Sequence, residues 1–274
     1  MWYNDVVRAQ DDLNADPHLL DVADLQGHFV QMYEPDDRLL VQNVGRYLAE
    51  GLRRHQAALI VVTPEHRRAF FAELERLGAD PGTAERNGQL TVLDAGDTLS
   101  RFMVGGYPNA QRFESTVATV VQDALERLDH AGLRAYGEMV GVLWQAREFP
   151  AAIRLEQLWN RLRKSVEFDL YCAYPIDVFD KQFQAGVLDA LLCSHTHLLP
   201  ASPSGALEGA IQRAMDEVLG SKVRALEVPA KAAHRSSWPA IPKAEATILW
   251  LRTNVPDRAE AILARARDYY QATA

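Results

Sequence analysis

The sequence predicts an α/β protein in which a parallel sheet is covered by helices on both faces. Short apolar runs alternate with longer segments whose apolar residues recur every 3.6 positions, and the links between them are short. The clearest run, 57–63, is apolar almost throughout, as expected for a strand buried on both faces. With 274 residues, 48% of them hydrophobic, the chain can form one large domain or a domain of about 200 residues with an appendage.

The predicted elements follow one another in strand–helix order. Strands are predicted at 28–33, 57–63, 89–94, 133–144 and 168–174, and an edge strand at 195–199. Asp36 and Asp37 are predicted to cap the first helix, which ends near His55. Further helices are predicted at 65–77, 109–129, 150–164 and 182–192. The lengths and order resemble the RecA-type or doubly wound class.

The two ends of the chain differ from this pattern. Residues 1–24 are polar and acidic and are predicted to form a loose lead-in. After residue 200 the pattern predicts a helical C-terminal extension, with helices at 206–219, 244–253 and 257–271 and a proline-containing linker at 229–242. The predicted domains are therefore 1–24, 25–200 and 201–274.

Charge and cysteine content limit the class of protein. The chain has 29 basic and 37 acidic residues, a net charge of −8, which argues against affinity for nucleic acids or an anionic membrane. No run approaches the roughly 18 apolar residues of a membrane helix, and the first residues do not resemble a signal peptide. Because Cys172 and Cys193 form no paired motif, we expect a reducing, cytoplasmic location.

The signatures of common enzymes are missing. The first strand leads into Tyr33-Glu34-Pro35-Asp36-Asp37, where three carboxylates oppose a phosphate and Pro35 lacks an N–H donor. The dinucleotide, serine-hydrolase and zinc-protease patterns are also absent from the sequence. We therefore predict a non-catalytic protein without a cofactor.

Glu138 is the most informative single residue. It lies in 137–144, which otherwise resembles a buried strand, and an ionised carboxylate there costs several kcal/mol, roughly, without compensation. Two interpretations stay open with similar weight. Glu138 forms an ion pair with a nearby arginine such as Arg134 or Arg147, or it faces a ligand.

Other candidate residues carry weaker signals. Cys193, His195 and His197 have a spacing that can hold zinc, although histidines bonded to the backbone of a strand explain them better. His28 and Tyr33 flank the first strand and on sequence alone favour a structural role. Aromatic and sulfur-bearing side chains predict either an apolar pocket or ordinary core. They are Tyr136, Met139, Trp144, Trp159, Tyr171, Cys172 and Tyr174.

Several motifs occur together in order: His28-x-x-x-x-Tyr33, the segment 137–144, Leu155-Glu156-Gln157-Leu158-Trp159-Asn160 and Cys172-Ala173-Tyr174-Pro175. Over about residues 25–200 the chain resembles the MEDS family, the sensory domain named for methanogens, methylotrophs and the dichloromethane-metabolism repressor. The resemblance implies a RecA-like domain related to the circadian-clock ATPases but lacking the phosphate-binding loop. It also implies sensing of small organic molecules, hydrocarbon derivatives in particular, with output through a DNA-binding or kinase module.

The resulting hypothesis is a sensory domain that binds a small apolar organic ligand and relays its presence to a partner protein, a kinase or regulator. The predicted ligand-binding residues are His28, Tyr33, Glu138, Met139, Trp144, Trp159, Asn160 and Tyr174. The lead-in is too short for a helix-turn-helix, so direct binding of nucleic acid is disfavoured, and the helical extension is expected to contact the partner. A homodimer stays open. The alternatives are a nucleotide binder or enzyme with Glu138 as general base, and a ligand-free protein-interaction module.

Overall fold

The computed structural model describes residues 27–128, 131–202, 205–220 and 238–272. The chain divides into two compact units, and the first ends at Pro175 while the second continues from Ile176. The predicted lead-in at 1–24 and residues 229–237 of the predicted linker lie outside the described residues. The domain limits drawn from composition therefore remain predictions.

The first unit is built on a parallel sheet, which confirms the predicted α/β class. Its strands are β1 (His28–Glu34), β2 (Ala57–Val62), β3 (Leu90–Asp94), β6 (Leu133–Gly137) and β7 (Asp169–Asp177), and a small antiparallel pair is formed by β4 (Met103–Val104) and β5 (Tyr107–Pro108). Within this unit the strand order is β3-β2-β6-β7-β1. Strand β2 pairs in parallel with β3 and β6, and β6 pairs in parallel with β7. All six residues of β2 are buried, as its apolar sequence predicts.

Helices connect the strands of the first unit. They are α1 (Arg38–Arg53), α2 (Pro64–Arg76), α3 (Pro81–Arg86), α4 (Ala95–Phe102), α5 (Ala110–Phe113), α6 (Thr119–Arg127), α7 (Met139–Gln145) and α8 (Phe149–Ser165). Residues Glu114–Ala118, between α5 and α6, form a π-helical turn. The sequence analysis assigned no element to α3 or α4, although Asp80 and Asp94 cap them by accepting backbone hydrogen bonds of 2.9 and 2.8 Å.

The second unit is mostly helical. It contains α9 (Ala185–Leu192), β8 (His197–Leu199), α10 (Ala206–Leu219), α11 (Lys243–Asn254) and α12 (Pro256–Gln271), so the predicted C-terminal helices are confirmed. The buried residues of α12 recur at helical spacing and are Ala259, Ile262, Leu263 and Ala266. No helix in the described part of the chain is both long and apolar enough to span a bilayer.

The strand order creates a reversal between β2 and β6. From β2 the chain continues to β3 on one side, whereas from β6 it continues to β7 on the other side. In open parallel sheets such a reversal opens a crevice at the carboxyl ends of the two strands, and ligands bind there. The residues that follow these strands are Thr63 and Glu138. They are therefore the first place to look for a site.

Candidate functional site

Glu138 lies at the end of a strand and not inside one. Strand β6 stops at Gly137, Glu138 occupies the position before α7, and the helix begins at Met139. The strand predicted over 133–144 is therefore wrong from residue 138 onward. The apolar residues that suggested a strand recur at helical spacing and are buried: Met139, Val140, Leu143 and Trp144.

The carboxylate of Glu138 is held by three donors from the surrounding elements. It accepts hydrogen bonds from the backbone N–H of Thr63, from Nδ1 of His66 and, at 3.2 Å, from the hydroxyl of Tyr136. Burial, followed by the negative charge of Glu138, raises the pKa of Tyr136 well above its usual range, so the phenol keeps its proton and donates. Glu138 is 3% exposed and joins the ends of β2 and β6.

The basic partner of Glu138 is a histidine. Of the two interpretations left open, the one that pairs Glu138 with an arginine is wrong. Arg134 is in β6, and its guanidinium donates to the backbone oxygen of Tyr47 at 2.9 Å and to Oε1 of Gln56 at 3.1 Å. Arg147 follows the end of α7, with a positive φ of 62°. The partner is instead His66, 72 positions before Glu138 in the chain.

His66 lies between two carboxylates. Its Nε2 is 3.3 Å from Oδ2 of Asp37, whose side chain is 44% exposed, while Nδ1 meets Glu138. Burial lowers the pKa of His66, but the hydrogen bond to Glu138 and the charges of Glu138 and Asp37 together raise it above its ordinary value. We call Asp37, Thr63, His66, Tyr136 and Glu138 the His66 site.

Aromatic rings surround the imidazole of the His66 site. The ring of Phe70 stacks on His66 with centroids 5.5 Å apart, and Tyr33 meets it edge-on at 5.6 Å. Asp37 occupies the predicted capping position of α1, but its side chain makes no capping hydrogen bond. Asp36 instead accepts from the backbone of Arg38 at 2.9 Å. The Asp37 carboxylate is thus directed to His66.

A second polar group is buried elsewhere in the same unit. Nδ1 of His28 is 3.1 Å from Oδ1 of Asn160, and Nε2 of His28 is 3.3 Å from Sγ of Cys172 and 3.4 Å from Oε2 of Glu156. The other oxygen of Glu156 accepts a 2.7 Å hydrogen bond from Tyr174. Burial, followed by the charge of Glu156, raises the pKa values of Cys172 and Tyr174 well above their usual ranges. We call these five residues the His28 cluster.

The two groups lie on opposite faces of the sheet. Tyr171 and Cys172 are consecutive residues of β7, so their side chains point to opposite faces. Tyr136 of the His66 site packs on Tyr171, with centroids 5.8 Å apart, whereas Cys172 belongs to the His28 cluster. The structure therefore separates the predicted ligand-binding residues. Tyr33 and Glu138 adjoin His66, and His28, Asn160 and Tyr174 belong to the other group.

The remaining predicted site residues are apolar and buried. Trp144 packs edge-on against Tyr174 at 5.3 Å, and Trp159 packs against Phe113 at the same centroid distance. Met139 is fully buried. Trp144 is thus next to the His28 cluster, while Met139 and Trp159 contribute to the core.

Comparison with models of known protein families assigns this chain to a family. The model of the MEDS family, described as the methanogen/methylotroph, DcmR sensory domain, matches residues 27–196. The chain belongs to the MEDS family. No match was found among characterised proteins or among solved structures. The family is that of a sensory domain, while the finer likeness of this MEDS domain to RecA remains a prediction.

The three metal-ligand candidates near the end of the MEDS match are not gathered into one group among the described residues. Cys193 is exposed, and Nδ1 of His195 contacts the backbone oxygen of Leu191 at 2.8 Å. His197 contacts the hydroxyl of Thr196 at 2.8 Å. The backbone contact of His195 agrees with the structural alternative, although His195 precedes β8 and does not lie within it.

Sequence reasoning missed His66, Thr63 and the contribution of Asp37 to the His66 site. His66 lies in the first turn of α2 and looks like an ordinary helical residue, because nothing local relates it to Glu138. Glu156 was quoted in a motif but not chosen as a site residue. A signal for it existed, since it falls on the apolar stripe of α8 beside Leu155 and Trp159 and is 0% exposed.

Proposed function

We propose that this MEDS domain is a non-catalytic sensor that binds a small, largely apolar organic molecule at the His66 site. The observation that supports it is the placement of His66 between Glu138 and Asp37 at the reversal between β2 and β6. Tyr33 and Phe70 offer apolar ring surface, and the imidazole offers one polar anchor. This mixture suits an organic molecule with a single hydrogen-bonding group.

A ligand at this site would compete with Asp37. The Nε2–H of His66 points to a carboxylate that is partly exposed, whereas Nδ1 is held by buried Glu138. A ligand oxygen or halogen that accepts from Nε2 would replace Asp37, which adjoins the first residue of α1. The ligand would then bind better when Asp37 lies away from His66 than when it contacts the imidazole. Ligand binding can therefore shift the equilibrium between these two positions of Asp37.

We further propose that the second unit passes this signal to a partner protein such as a kinase or transcriptional regulator. Strand β7 continues without interruption to Asp177, and Arg267 of α12 donates to Asp177 at 2.6 Å. Arg252 of α11 donates to the backbone oxygen of Phe179 at 2.8 Å. These contacts hold α11 and α12 to the residues with which the second unit begins. Two free cysteines support a reducing, cytoplasmic setting.

The test is thermal unfolding of the purified chain with small halocarbons, alcohols, fatty acids and ATP plus magnesium. An organic ligand at 100 times its Kd should stabilise the wild type by about 2.7 kcal/mol. The shift should disappear in His66→Gln and persist in the control His197→Gln. A shift that survives in a folded His66→Gln variant overturns the site. A shift with ATP alone supports a nucleotide binder, and no shift with any compound supports an interaction module.

The relay needs a separate measurement. Hydrogen exchange of the ligand-bound and ligand-free chain should differ in α11 and α12 as well as around His66. The same ligand in Asp37→Asn should leave the exchange of α11 and α12 closer to the free state. If the ligand changes hydrogen exchange only in residues around His66, the proposed binding site is supported and the proposed relay is contradicted.

A further inference from the structure

Three potential metal ligands converge in the His28 cluster. Nε2 of His28, a carboxylate oxygen of Glu156 and Sγ of Cys172 all lie within 4.8 Å of one another. The individual separations are 3.3 Å for nitrogen to sulfur, 3.4 Å for nitrogen to oxygen and 3.9 Å for sulfur to oxygen. A tetrahedral zinc ion with bonds of about 2.0–2.3 Å separates its ligand atoms by roughly 3.3–3.6 Å. The two distances from Nε2 of His28 fit this range, and the sulfur-to-oxygen distance of 3.9 Å is somewhat longer.

Neighbouring side chains orient these three groups. The contact between Nδ1 of His28 and Oδ1 of Asn160 places the proton on Nδ1 and leaves the lone pair of Nε2 directed at the cluster. Tyr174 donates to the Glu156 oxygen that lies away from His28 and Cys172. Hydrogen bonds of this kind, on the far side of each ligand, are typical of protein metal sites.

Burial and charge point in the same direction. His28, Glu156 and Cys172 are each 0% exposed, and a buried carboxylate requires a compensating positive charge or strong donors. A divalent ion among the three atoms would add to the compensation that the Tyr174 hydroxyl gives this carboxylate. Nitrogen and sulfur ligands favour zinc and related ions over magnesium or calcium.

We propose that His28, Glu156 and Cys172 bind a divalent transition metal ion, best matched by zinc, and supply three of its tetrahedral positions. The site is separate from the His66 site and does not rest on the proposed sensing function. Asn160 and Tyr174 are positioning residues. They hold the ring of His28 and the carboxylate of Glu156 without touching the ion.

The test uses the full chain, purified without a metal-affinity tag and treated with chelator. Cobalt(II) should bind with one equivalent per chain and give a thiolate-to-cobalt charge-transfer band with visible bands of a tetrahedral ion. The variant Cys172→Ser should lose the charge-transfer band, and the matched control Cys193→Ser should keep it, since Cys193 is exposed and outside the group. A folded wild type without stoichiometric cobalt, or a band lost only in Cys193→Ser, overturns the site.

A milder variant and a direct measurement remove dependence on the folding of Cys172→Ser. Tyr174→Phe should weaken zinc binding by about 10–100-fold, measured against a competing chromophoric chelator, while the cobalt band remains. X-ray absorption at the zinc edge of the wild type should show one sulfur ligand with nitrogen and oxygen neighbours. A zinc ion with only nitrogen and oxygen ligands contradicts the proposal.

Discussion

The His66 site and the His28 cluster each combine a buried glutamate with a histidine, yet their surroundings differ. In the His66 site a second carboxylate, Asp37, is partly exposed and faces the other nitrogen of the imidazole. In the His28 cluster the histidine, the glutamate and the cysteine are all fully buried, and Asn160 and Tyr174 add an amide and a phenol. In the first arrangement two carboxylates raise the pKa of His66. In the second, a nitrogen, an oxygen and a sulfur atom converge as possible ligands of a cation.

This difference shows that the residue pair alone does not determine the chemistry. The backbone N–H of Thr63 and the hydroxyl of Tyr136 hold Glu138 in the position from which it orients His66 and raises the pKa of that imidazole. Glu156 has one oxygen held by Tyr174, and its other oxygen belongs to the ligand triangle. Substitutions that remove one neighbour at a time can therefore separate the two roles.

The largest effect is expected from Glu138→Ala. Removing one partner of a buried ion pair leaves the other uncompensated and typically costs about 3–5 kcal/mol. We expect that loss in the free energy of unfolding, measured by urea denaturation near neutral pH. The control is Glu85→Ala, whose surface pair with Arg67 spans 3.5 Å, and its cost should stay below about 1 kcal/mol. Equal losses in the two variants would show that Glu138 has no special structural role.

A smaller effect should distinguish two tyrosines of β7. Tyr174 donates to the Glu156 carboxylate and Tyr171 to the amide oxygen of Gln31. Hydrogen bonds to charged groups contribute about 1.5–3 kcal/mol, and neutral ones about 0.5–1.5 kcal/mol. In chelator-treated protein, Tyr174→Phe should therefore destabilise more than Tyr171→Phe in urea denaturation. The reverse order would indicate that Glu156 is protonated and neutral.

Helix α7, which follows Glu138, packs closely against the end of β7. A Cβ on Gly141 would lie 2.7 Å from the backbone oxygen of Ala173 and 3.2 Å from Pro175, so Gly141→Ala must move α7 away from β7. Such overpacking costs about 1–3 kcal/mol. The matched control Gly209→Ala, in α10 with no atom within 4 Å of its Cβ, should stabilise by about 0.5–1 kcal/mol. Thermal unfolding of both variants measures the difference. A neutral Gly141→Ala would mean that α7 moves easily.

Much of the fold could be predicted because β2 and the amphipathic helices have clear periods. The segment 139–144 was wrongly assigned to a strand, because a short apolar run fits a buried strand as well as a buried helix. The order of the strands in the sheet also could not be predicted from local sequence patterns. Glu138 was singled out correctly as a buried acid, but its partner depends on β2 and β6 being neighbours, and that pairing brings together residues 72 positions apart.

The His28 cluster shows the same limitation in another form. His28, Asn160 and Tyr174 were chosen through the family motifs, while Glu156, which contacts His28 and Tyr174, was not chosen. Residues predicted for one site were divided between two faces, because alternation along β7 separates Tyr171 from Cys172. A motif relates residues by their spacing in the chain but does not tell which of them share a face.

The smallest effect on stability is expected from Asp37→Asn, and it is also the most specific to the His66 site. Because the folded-state pKa of His66 is raised, its charged form contributes stability that is present below about pH 6.5 and lost as pH rises through the raised value. Removing Asp37 should lower that pKa in a nuclear magnetic resonance titration. Because Asp37 is partly exposed, the substitution should lower the free energy of unfolding by less than about 1 kcal/mol. This loss should occur only at a pH where His66 is charged. If the loss of stability persists at a pH where His66 is neutral in both proteins, Asp37 stabilises α1 and not the charge on His66. If the pKa of His66 is unchanged in Asp37→Asn, Glu138 alone raises it.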